Sequence, residues 1–188
     1  MKNNNTTATD KQLSIINYQL SIASTRAALR GDFPALAEVW ADAFGNFGGE
    51  IEKFLVLHFK AGSSYVLETA SDGIIGAAHL VYGGGIRLAG GGVIACPYLY
   101  ALAIKSDFRG RGYGSELLKF VNHEARALGF RGTALCPERE PLFAYYKREG
   151  YGTELKRDKQ WTLLSVRDYE AWYDVVDTLP VMLCTFEV

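Results

Sequence analysis

The sequence lacks the features that several protein classes require. Its 188 residues contain three cysteines, Cys96, Cys136 and Cys184, with dozens of residues between each and the next. An odd number at such spacing indicates neither a disulfide framework nor a zinc site, so we expect reduced, buried thiols in a cytoplasmic protein. No stretch approaches the ~20 apolar residues of a membrane-spanning helix. We therefore expect no membrane partner.

An excess of positive charge is also absent. The chain carries 20 basic and 21 acidic side chains, a net charge of −1, so no overall positive field attracts a nucleic-acid backbone. We expect no nucleic-acid partner. The three histidines, His58, His79 and His123, have no second histidine or carboxylate at ligand spacing, and we expect no bound metal.

The composition that is present is that of one compact domain, with 48% hydrophobic and 22% charged residues. Residues 1–20 begin with an Asn- and Thr-rich stretch, and we expect them to form a polar N-terminal tail. From residue 21 to residue 188, strand and helix periods alternate without a repeat or a linker. This order predicts a single mixed α/β domain over residues 21–188.

Helical periods follow the first predicted strand, which begins near Thr25. Asp32 is the predicted N-cap of a helix whose apolar stripe includes Trp40 and Phe44. A second helix is predicted to run to about Phe59. The apolar stripe of the first helix must be buried against another part of the protein.

Strand periods dominate the next segment. Apolar runs over residues 65–69 and 74–82 flank a Ser-Asp-Gly turn and predict a hairpin, and a third long strand is predicted over residues 93–104. We interpret the glycine-rich residues 83–92 as a flexible hairpin loop, because a phosphate-binding loop would open directly into a helix.

The strongest helical period of the chain begins at Gly112 and ends before Gly129, which is predicted to be the C′ residue. The remaining predicted elements are a strand over residues 131–135, a helix over 141–149, a strand over 160–164, a helix over 165–176 and a strand over 181–187.

The segment from Leu102 to Gly114 carries the chemical information. A buried strand passes through a polar turn into a glycine-rich loop, which becomes the first turn of the strongest helix. Such a helix start offers unpaired N–H groups and the positive end of a dipole, and glycines let a phosphate approach the main chain. Arg109 and Arg111 add mobile positive charge. The pattern predicts a diphosphate site.

This segment resembles a known motif. Arg109-x-x-Gly112-x-Gly114, following a strand, is similar to the acyl-CoA-binding motif of the GNAT N-acetyltransferase superfamily, and Tyr146-x-x-x-Gly150-Tyr151 resembles its tyrosine signature. The similarity spans about residues 26–152. It implies a GNAT-like fold, in which helices flank a central mixed β-sheet, and acetyl-CoA as co-substrate.

The resemblance also assigns roles to residues. The backbone of the strand is implied to hold the pantetheine arm and to donate an N–H to the thioester carbonyl, while the loop wraps the diphosphate. The implied cofactor-binding residues are Leu102, Ala103, Ile104, Arg109, Gly110, Arg111, Gly112, Tyr113 and Gly114. Tyr146 matches the general acid of the family.

A phenol suits that role, since it is a neutral proton donor at pH 7, although core packing is the alternative for Tyr146; its neighbour Tyr145 is expected only to pack. A general base is not evident. Glu68, Glu138, Tyr98 and Tyr100 are candidates, each with an alternative as a surface or strand-face residue, and a water chain is equally open.

The acceptor implied by the resemblance is an amine, of a small molecule or of a protein or peptide. Residues 32–72 hold seven acidic and two basic side chains, which favours a cationic amine, unless these acids only form a solvated helix face. The function expected from the resemblance is N-acetyl transfer to a primary amine by direct attack in a ternary complex.

A second function stays open. A CoA-binding sensor of the same fold without turnover is the alternative, because Arg139-Glu140-Pro141 stands where the family often has an asparagine and because no base is evident. The family is often dimeric, so a homodimer is also expected. A dinucleotide-binding fold would need an acidic residue ~20 positions beyond the glycines, and residues 127–131 offer none.

Overall fold

The computed structural model describes residues 23–45, 49–82, 84–163 and 180–186. The predicted tail over residues 1–20 and the predicted helix over 165–176 lie outside these ranges. The described strands are β1 (Ala23–Ala27), β2 (Ser64–Thr69), β3 (Gly73–Val81), β4 (Gly84–Arg87), β5 (Val93–Ala95), β6 (Tyr98–Ile104), β7 (Gly132–Leu135), β8 (Thr153–Leu155), β9 (Trp161–Leu163) and β10 (Val181–Thr185). The described helices are α1 (Phe33–Phe44), α2 (Glu50–His58), α3 (Tyr113–Ala127), α4 (Pro141–Arg148) and α5 (Arg157–Gln160).

The described strands form two sheets. The larger one has seven strands in the order β1-β2-β3-β6-β7-β10-β8, and the smaller one has the order β5-β4-β9. Within the described ranges, neighbouring strands are antiparallel except β6 and β7, which are parallel. The predicted mixed α/β fold is confirmed. A doubly wound dinucleotide fold, which needs successive parallel βαβ units, is not what these strands form.

The large sheet is covered on both faces, which explains its almost continuous apolar strands. Tyr65 and Leu67 of β2 belong to the core cluster under α3, whereas Val66 between them belongs to the cluster under α1 and α2. This alternation follows the period of two in a strand. Helix α3 contributes Leu117, Leu118, Val121 and Ala125, all fully buried.

The predicted long strand over residues 93–104 is interrupted. Cys96 and Pro97 separate β5, which lies in the small sheet, from β6, which lies in the large one. Proline has no N–H to donate to a ladder, so a break there is expected. The glycine-rich segment is also less of a loop than predicted: β4 pairs with β5, and the turn between them is closed by the Leu88 amide donating to Gly92 O (3.2 Å).

Two further predictions are confirmed in part. Asp32 is the N-cap residue of α1, as predicted, but its side chain makes no capping hydrogen bond to that helix; it accepts hydrogen bonds from the Leu29 amide (2.7 Å) and from Arg26 Nη1 (2.7 Å). The thiols are free, but only Cys96 is buried, whereas Cys136 and Cys184 are half-buried. Strand β8 and helix α5 were not predicted, because three- and four-residue elements show no measurable period.

The predicted end of the longest helix is confirmed. Gly129, with φ of +86°, follows the C-cap of α3. The Phe130 amide donates to Ala125 O (3.1 Å) and the Gly129 amide to Arg126 O (2.9 Å), which is the Schellman pattern. In the described ranges, no helix is long and apolar enough to cross a bilayer, and no three His, Cys, Asp or Glu side chains are grouped to hold a metal ion.

A buried histidine makes stability depend on pH. Burial lowers the pKa of His79 to about 3, and its Nδ1 lies 2.8 Å from Ser64 Oγ. In the unfolded chain His79 binds a proton below about pH 6.5, whereas in the folded protein it stays neutral down to about pH 3. The free energy of unfolding should therefore fall by about 1.4 kcal/mol per pH unit below about pH 6.5. The carboxyls whose pKa is lowered, Asp32, Asp42 and Asp72, titrate below this window.

We expect urea titrations of His79→Gln to show a nearly flat stability between about pH 6 and about pH 4.5. His123→Gln, at an exposed helix position, should keep the slope of the unaltered protein. An equal slope in both variants would contradict this assignment.

Candidate functional site

The site begins with a bulge in β6. In the ladder with β3, Ala103 faces Ala77 and Tyr100 faces His79, so two residues of β6, Ala101 and Leu102, stand opposite one residue of β3. Ala101 has φ of +50°, the only positive φ among the described residues other than glycines. A bulge bends a strand and re-aims the side chains that follow it.

Beyond the bulge, β6 separates from its parallel neighbour. In the described ranges β6 and β7 pair only at Tyr98 and Ala134, and past that point the Cys136 amide donates to the Tyr98 hydroxyl (3.0 Å) instead of to the strand. The edge of β6 over residues 102–104 is therefore not covered by β7, and a cleft of about 520 Å³ opens beside it.

Most of the predicted site residues line this cleft. They are Leu102, Ala103, Ile104, Arg109, Gly110, Gly112, Tyr113, Gly114 and Tyr146. Arg111 does not line it: its guanidinium donates to Asp107 O (2.9 Å) and lies 5.5 Å from the Phe108 ring centre. The lining residues that were not predicted as cofactor-binding or acid residues are Ala43, Phe44, Phe108, Ser115, Glu138, Arg139, Leu142 and Tyr145.

Backbone amides gather at one end of the cleft. Gly110 and Gly112 have φ of +75° and +87°, a conformation that L side chains rarely adopt. The first amide of α3 with a backbone partner is that of Glu116, which donates to Gly112 O (3.1 Å). No acceptor in the described chain pairs with the preceding amides over residues 113–115. These donors and the helix dipole make this end suited to an anion.

The side chain of Arg109 is not the mobile cation that was predicted. Its Nε donates to Ile104 O (2.8 Å), and its Nη2 lies 3.1 Å from Asp42 Oδ2. The guanidinium thus ties the end of β6 to helix α1. In this arrangement the backbone amides of the loop, more than this side chain, are the donors left available to an anion.

Tyr146 lies on α4 and also lines the cleft. Its ring contacts those of Tyr145 and Tyr151, with centroids 5.0 and 5.8 Å away, and its hydroxyl makes no hydrogen bond with the described residues. Burial is the largest cause of a raised pKa of Tyr146, and the nearby Glu138 carboxylate raises it further. The phenol therefore keeps its proton at neutral and moderately alkaline pH.

The tyrosine signature has a structural basis. After α4, Gly150 has φ of +96°, and the Tyr151 amide donates to Tyr146 O (3.0 Å), which closes the helix as a Schellman motif. The chain then turns Tyr151 into the core, where its hydroxyl lies 2.7 Å from Thr133 Oγ1. Gly150 and Tyr151 hold the helix end that carries Tyr146.

Only one of the four candidate bases lines the cleft, and it is Glu138. Glu68 is paired with Arg26 (2.9 Å) on β2. Tyr98 is buried, and its hydroxyl accepts a hydrogen bond from the Cys136 amide. Tyr100 packs against the rings of Trp40 and Phe54.

Four of the seven acidic residues that favoured a cationic acceptor form ion pairs. Arg26 lies between Asp32 (2.7 Å) and Glu68 (2.9 Å), Glu38 pairs with Lys105 (3.1 Å), and Asp42 pairs with Arg109. Three cations thus offset three of these four negative charges, and one negative charge remains. The count along the chain therefore overstates the negative charge of this region, which weakens the argument for a cationic amine.

The geometry can be compared with known proteins. Residues 33–151 match the model of the acetyltransferase (GNAT) family. The chain belongs to this family. The predicted family and its fold, a mixed sheet flanked by helices, are confirmed.

Several solved structures share this GNAT fold. N-acetylglutamate synthase from Neisseria gonorrhoeae, complexed with coenzyme A and N-acetyl-glutamate, has a TM-score of 0.61 at 17% identity over 89% of this chain and 36% of that one. The GNAT family N-acetyltransferase YhbS from Escherichia coli, in complex with CoA, has a TM-score of 0.55 at 15% identity over 78% and 83%. An acetyltransferase of the GNAT family from Staphylococcus aureus Mu50 has a TM-score of 0.59 at 15% identity over 88% and 100%.

These identities establish the fold alone. The chain spans only 30% to 36% of the length of several longer proteins of this fold, of which N-acetylglutamate synthase is one. No curated protein matches the chain.

Close packing between α3 and α4 gives a test of the site. A Cβ at Gly114 would lie 3.1 Å from the buried Tyr145 hydroxyl. In a helix without such contacts, Gly→Ala raises the free energy of unfolding by up to ~1 kcal/mol. We expect Gly114→Ala not to raise it, because the new Cβ would crowd the Tyr145 hydroxyl.

In the Tyr145→Phe background the hydroxyl is gone, and Gly114→Ala should recover a stabilisation of up to ~1 kcal/mol. Urea titration of the two single variants and the double variant measures this coupling. Additive effects would show that the hydroxyl does not limit residue 114.

Proposed function

We propose that this chain is an acyltransferase that moves an acetyl group from acetyl-CoA to a primary amine by direct attack in a ternary complex. The observation that carries the proposal is one cleft that joins the unpaired amides at the start of α3, the uncovered edge of β6 and the phenol of Tyr146. Membership of the family, and the coenzyme A present in two of the related structures, support the same substrate.

Each part of coenzyme A has a counterpart in the cleft. The amides over residues 113–115 and the open backbone at Gly110 and Gly112 suit a diphosphate, because no Cβ obstructs its approach. The uncovered edge of β6 suits the amide-bearing pantetheine arm, which would pair with it as an added strand does. A backbone N–H of this edge is the proposed donor to the thioester carbonyl oxygen.

The reaction needs proton transfers at two points. A neutral amine attacks the thioester carbonyl, the C–N bond forms and the C–S bond breaks. Tyr146 donates its proton to the departing thiolate, for which its raised pKa keeps it protonated. The proton lost by the amine nitrogen passes to a base, and Glu138 is the candidate that lines the cleft.

The acceptor is proposed only as an amine, of a small molecule or of a protein or peptide. Ala43 and Phe44 at the end of α1 line the cleft, so this helix borders the space that an acceptor would enter. A cytoplasmic location and a homodimer remain predictions of the sequence analysis.

Removal of the Tyr146 hydroxyl should separate catalysis from binding. We expect Tyr146→Phe to lower kcat by about 10²- to 10⁴-fold, the usual contribution of a positioned acid, with the dissociation constant for CoA unchanged. Thiol release from acetyl-CoA with an amine library measures kcat, and calorimetry measures binding. Tyr145→Phe, which removes the neighbouring hydroxyl, is the control.

Tight CoA binding by the unaltered protein without turnover of any amine would favour the sensor function over catalysis. Full activity of Tyr146→Phe in a protein that turns over would assign the proton to another donor.

The Glu138 carboxylate gives a second catalytic test. We expect Glu138→Gln to lower kcat/KM by about 10²-fold or more near neutral pH, because the ammonium form of the acceptor, which cannot attack, loses the group that takes its proton. The difference in kcat/KM between the unaltered protein and Glu138→Gln should become smaller as the pH approaches the amine pKa, where neutral amine is already abundant. Glu140→Gln, an exposed neighbour that does not line the cleft, is the matched control, and a gap that is constant with pH would exclude a base role.

A further inference from the structure

We propose that Asp42 of α1 is a positioning residue for acetyl-CoA, which holds the diphosphate-binding loop in its binding shape, and that Arg109 acts through this contact instead of binding phosphate with its side chain. The inference rests on the proposed function, since it concerns the same cleft. It adds a residue from the acceptor-side helix, outside the loop itself.

The contacts of Asp42 converge on the start of the loop. Oδ2 accepts from the Ser106 amide (2.7 Å), Oδ1 accepts from Ser106 Oγ (2.8 Å), and Oδ2 lies 3.1 Å from Arg109 Nη2. The loop opens with a helical turn over Ser106–Phe108, whose own N-cap, Lys105, provides no side-chain bond. Asp42 therefore caps a turn that lies 64 residues further along the chain.

Arg109 belongs to the same group of contacts around Asp42. Its Nε donates to Ile104 O at the end of β6 while its Nη2 reaches Asp42. Both contacts point the guanidinium back toward the strand and α1. The backbone then enters Gly110, and the amides of the loop and of α3 are left to face the anion.

A second ion pair supports the first. Glu38 lies one helical turn before Asp42 on α1, and its carboxylate is 3.1 Å from Lys105 Nζ. Hydrogen bonds from Ser106, and then the charge of Arg109, lower the pKa of Asp42, so its carboxylate stays an acceptor at neutral pH. The acidic face of α1 thus holds Lys105, Ser106 and Arg109.

The sign of the effect distinguishes positioning from plain electrostatics. A carboxylate beside a diphosphate site repels its ligand, so removal of a carboxylate with no other role should leave CoA binding unchanged or make it tighter. Removal of a carboxylate that shapes the loop should make CoA binding weaker.

The experiment compares two donors. Asp42→Ala and Asp42→Asn are assayed with acetyl-CoA and with S-acetylpantetheine, which has the thioester but no diphosphate, and the Kd for CoA is measured by calorimetry. We expect Kd and the KM for acetyl-CoA to rise about tenfold in Asp42→Ala, with kcat at saturation and kcat/KM for S-acetylpantetheine changed less than twofold. A loss of global structure would instead lower kcat/KM for both acetyl donors together.

Asp107→Ala is the matched control, because Asp107 is an exposed acid in the same turn that does not line the cleft. We expect it to bind CoA as tightly as the unaltered protein or tighter. In the Asp42→Ala background, Arg109→Ala should raise the Kd for CoA by less than a further twofold. A larger further rise in Kd would make Arg109 a phosphate ligand and overturn its part of the proposal.

Unchanged or tighter CoA binding by Asp42→Ala, or an equal loss with both donors, would overturn the role of Asp42 while CoA binding by the unaltered protein stands. Absence of CoA binding by the unaltered protein would instead overturn the proposed function, and the inference with it.

Discussion

The site depends on backbone groups that the fold leaves without partners. Polar main-chain atoms inside a protein need hydrogen bonds, and β6 loses its neighbour after Tyr98 while α3 begins with amides that no described acceptor pairs. Both gaps open on the same cleft. The proposed ligand, coenzyme A, has the amides and phosphates to satisfy them, so that proposal rests on missing secondary-structure bonds more than on side chains.

This dependence on backbone explains how much could be predicted from the sequence. Glycines mark backbone shape, so Gly112 and Gly114 located the loop and the helix start, and Gly150 located the helix end below Tyr146. The resemblance implied an open strand edge ending at Ile104, but the bulge at Ala101 on that strand could not be predicted, because alanine carries no signal for a positive φ. Pro97 did offer a signal for the break between β5 and β6.

Charge was the least predictable property. The sum over residues 32–72 is strongly negative, yet Arg26 and Arg109 neutralise acids that lie far from them in sequence or on other elements. A count along the chain cannot include such tertiary pairs. Glu138 shows the converse, because one of four equivalent candidates was separated from the rest only when the cleft showed which side chains line it.

The two sides of the cleft are mechanically joined, and this constrains how the molecule can respond to a substrate. Helix α1 ends with residues that line the cleft, and one residue earlier its Asp42 caps the turn before the loop over residues 109–114. A movement of the end of α1 toward an acceptor must therefore either carry Ser106 and Arg109 along or break their bonds to Asp42. At such exposed positions each of these bonds is worth on the order of 1 kcal/mol, so breaking all of them costs more than keeping them, and the order of the loop and the position of the end of α1 are coupled.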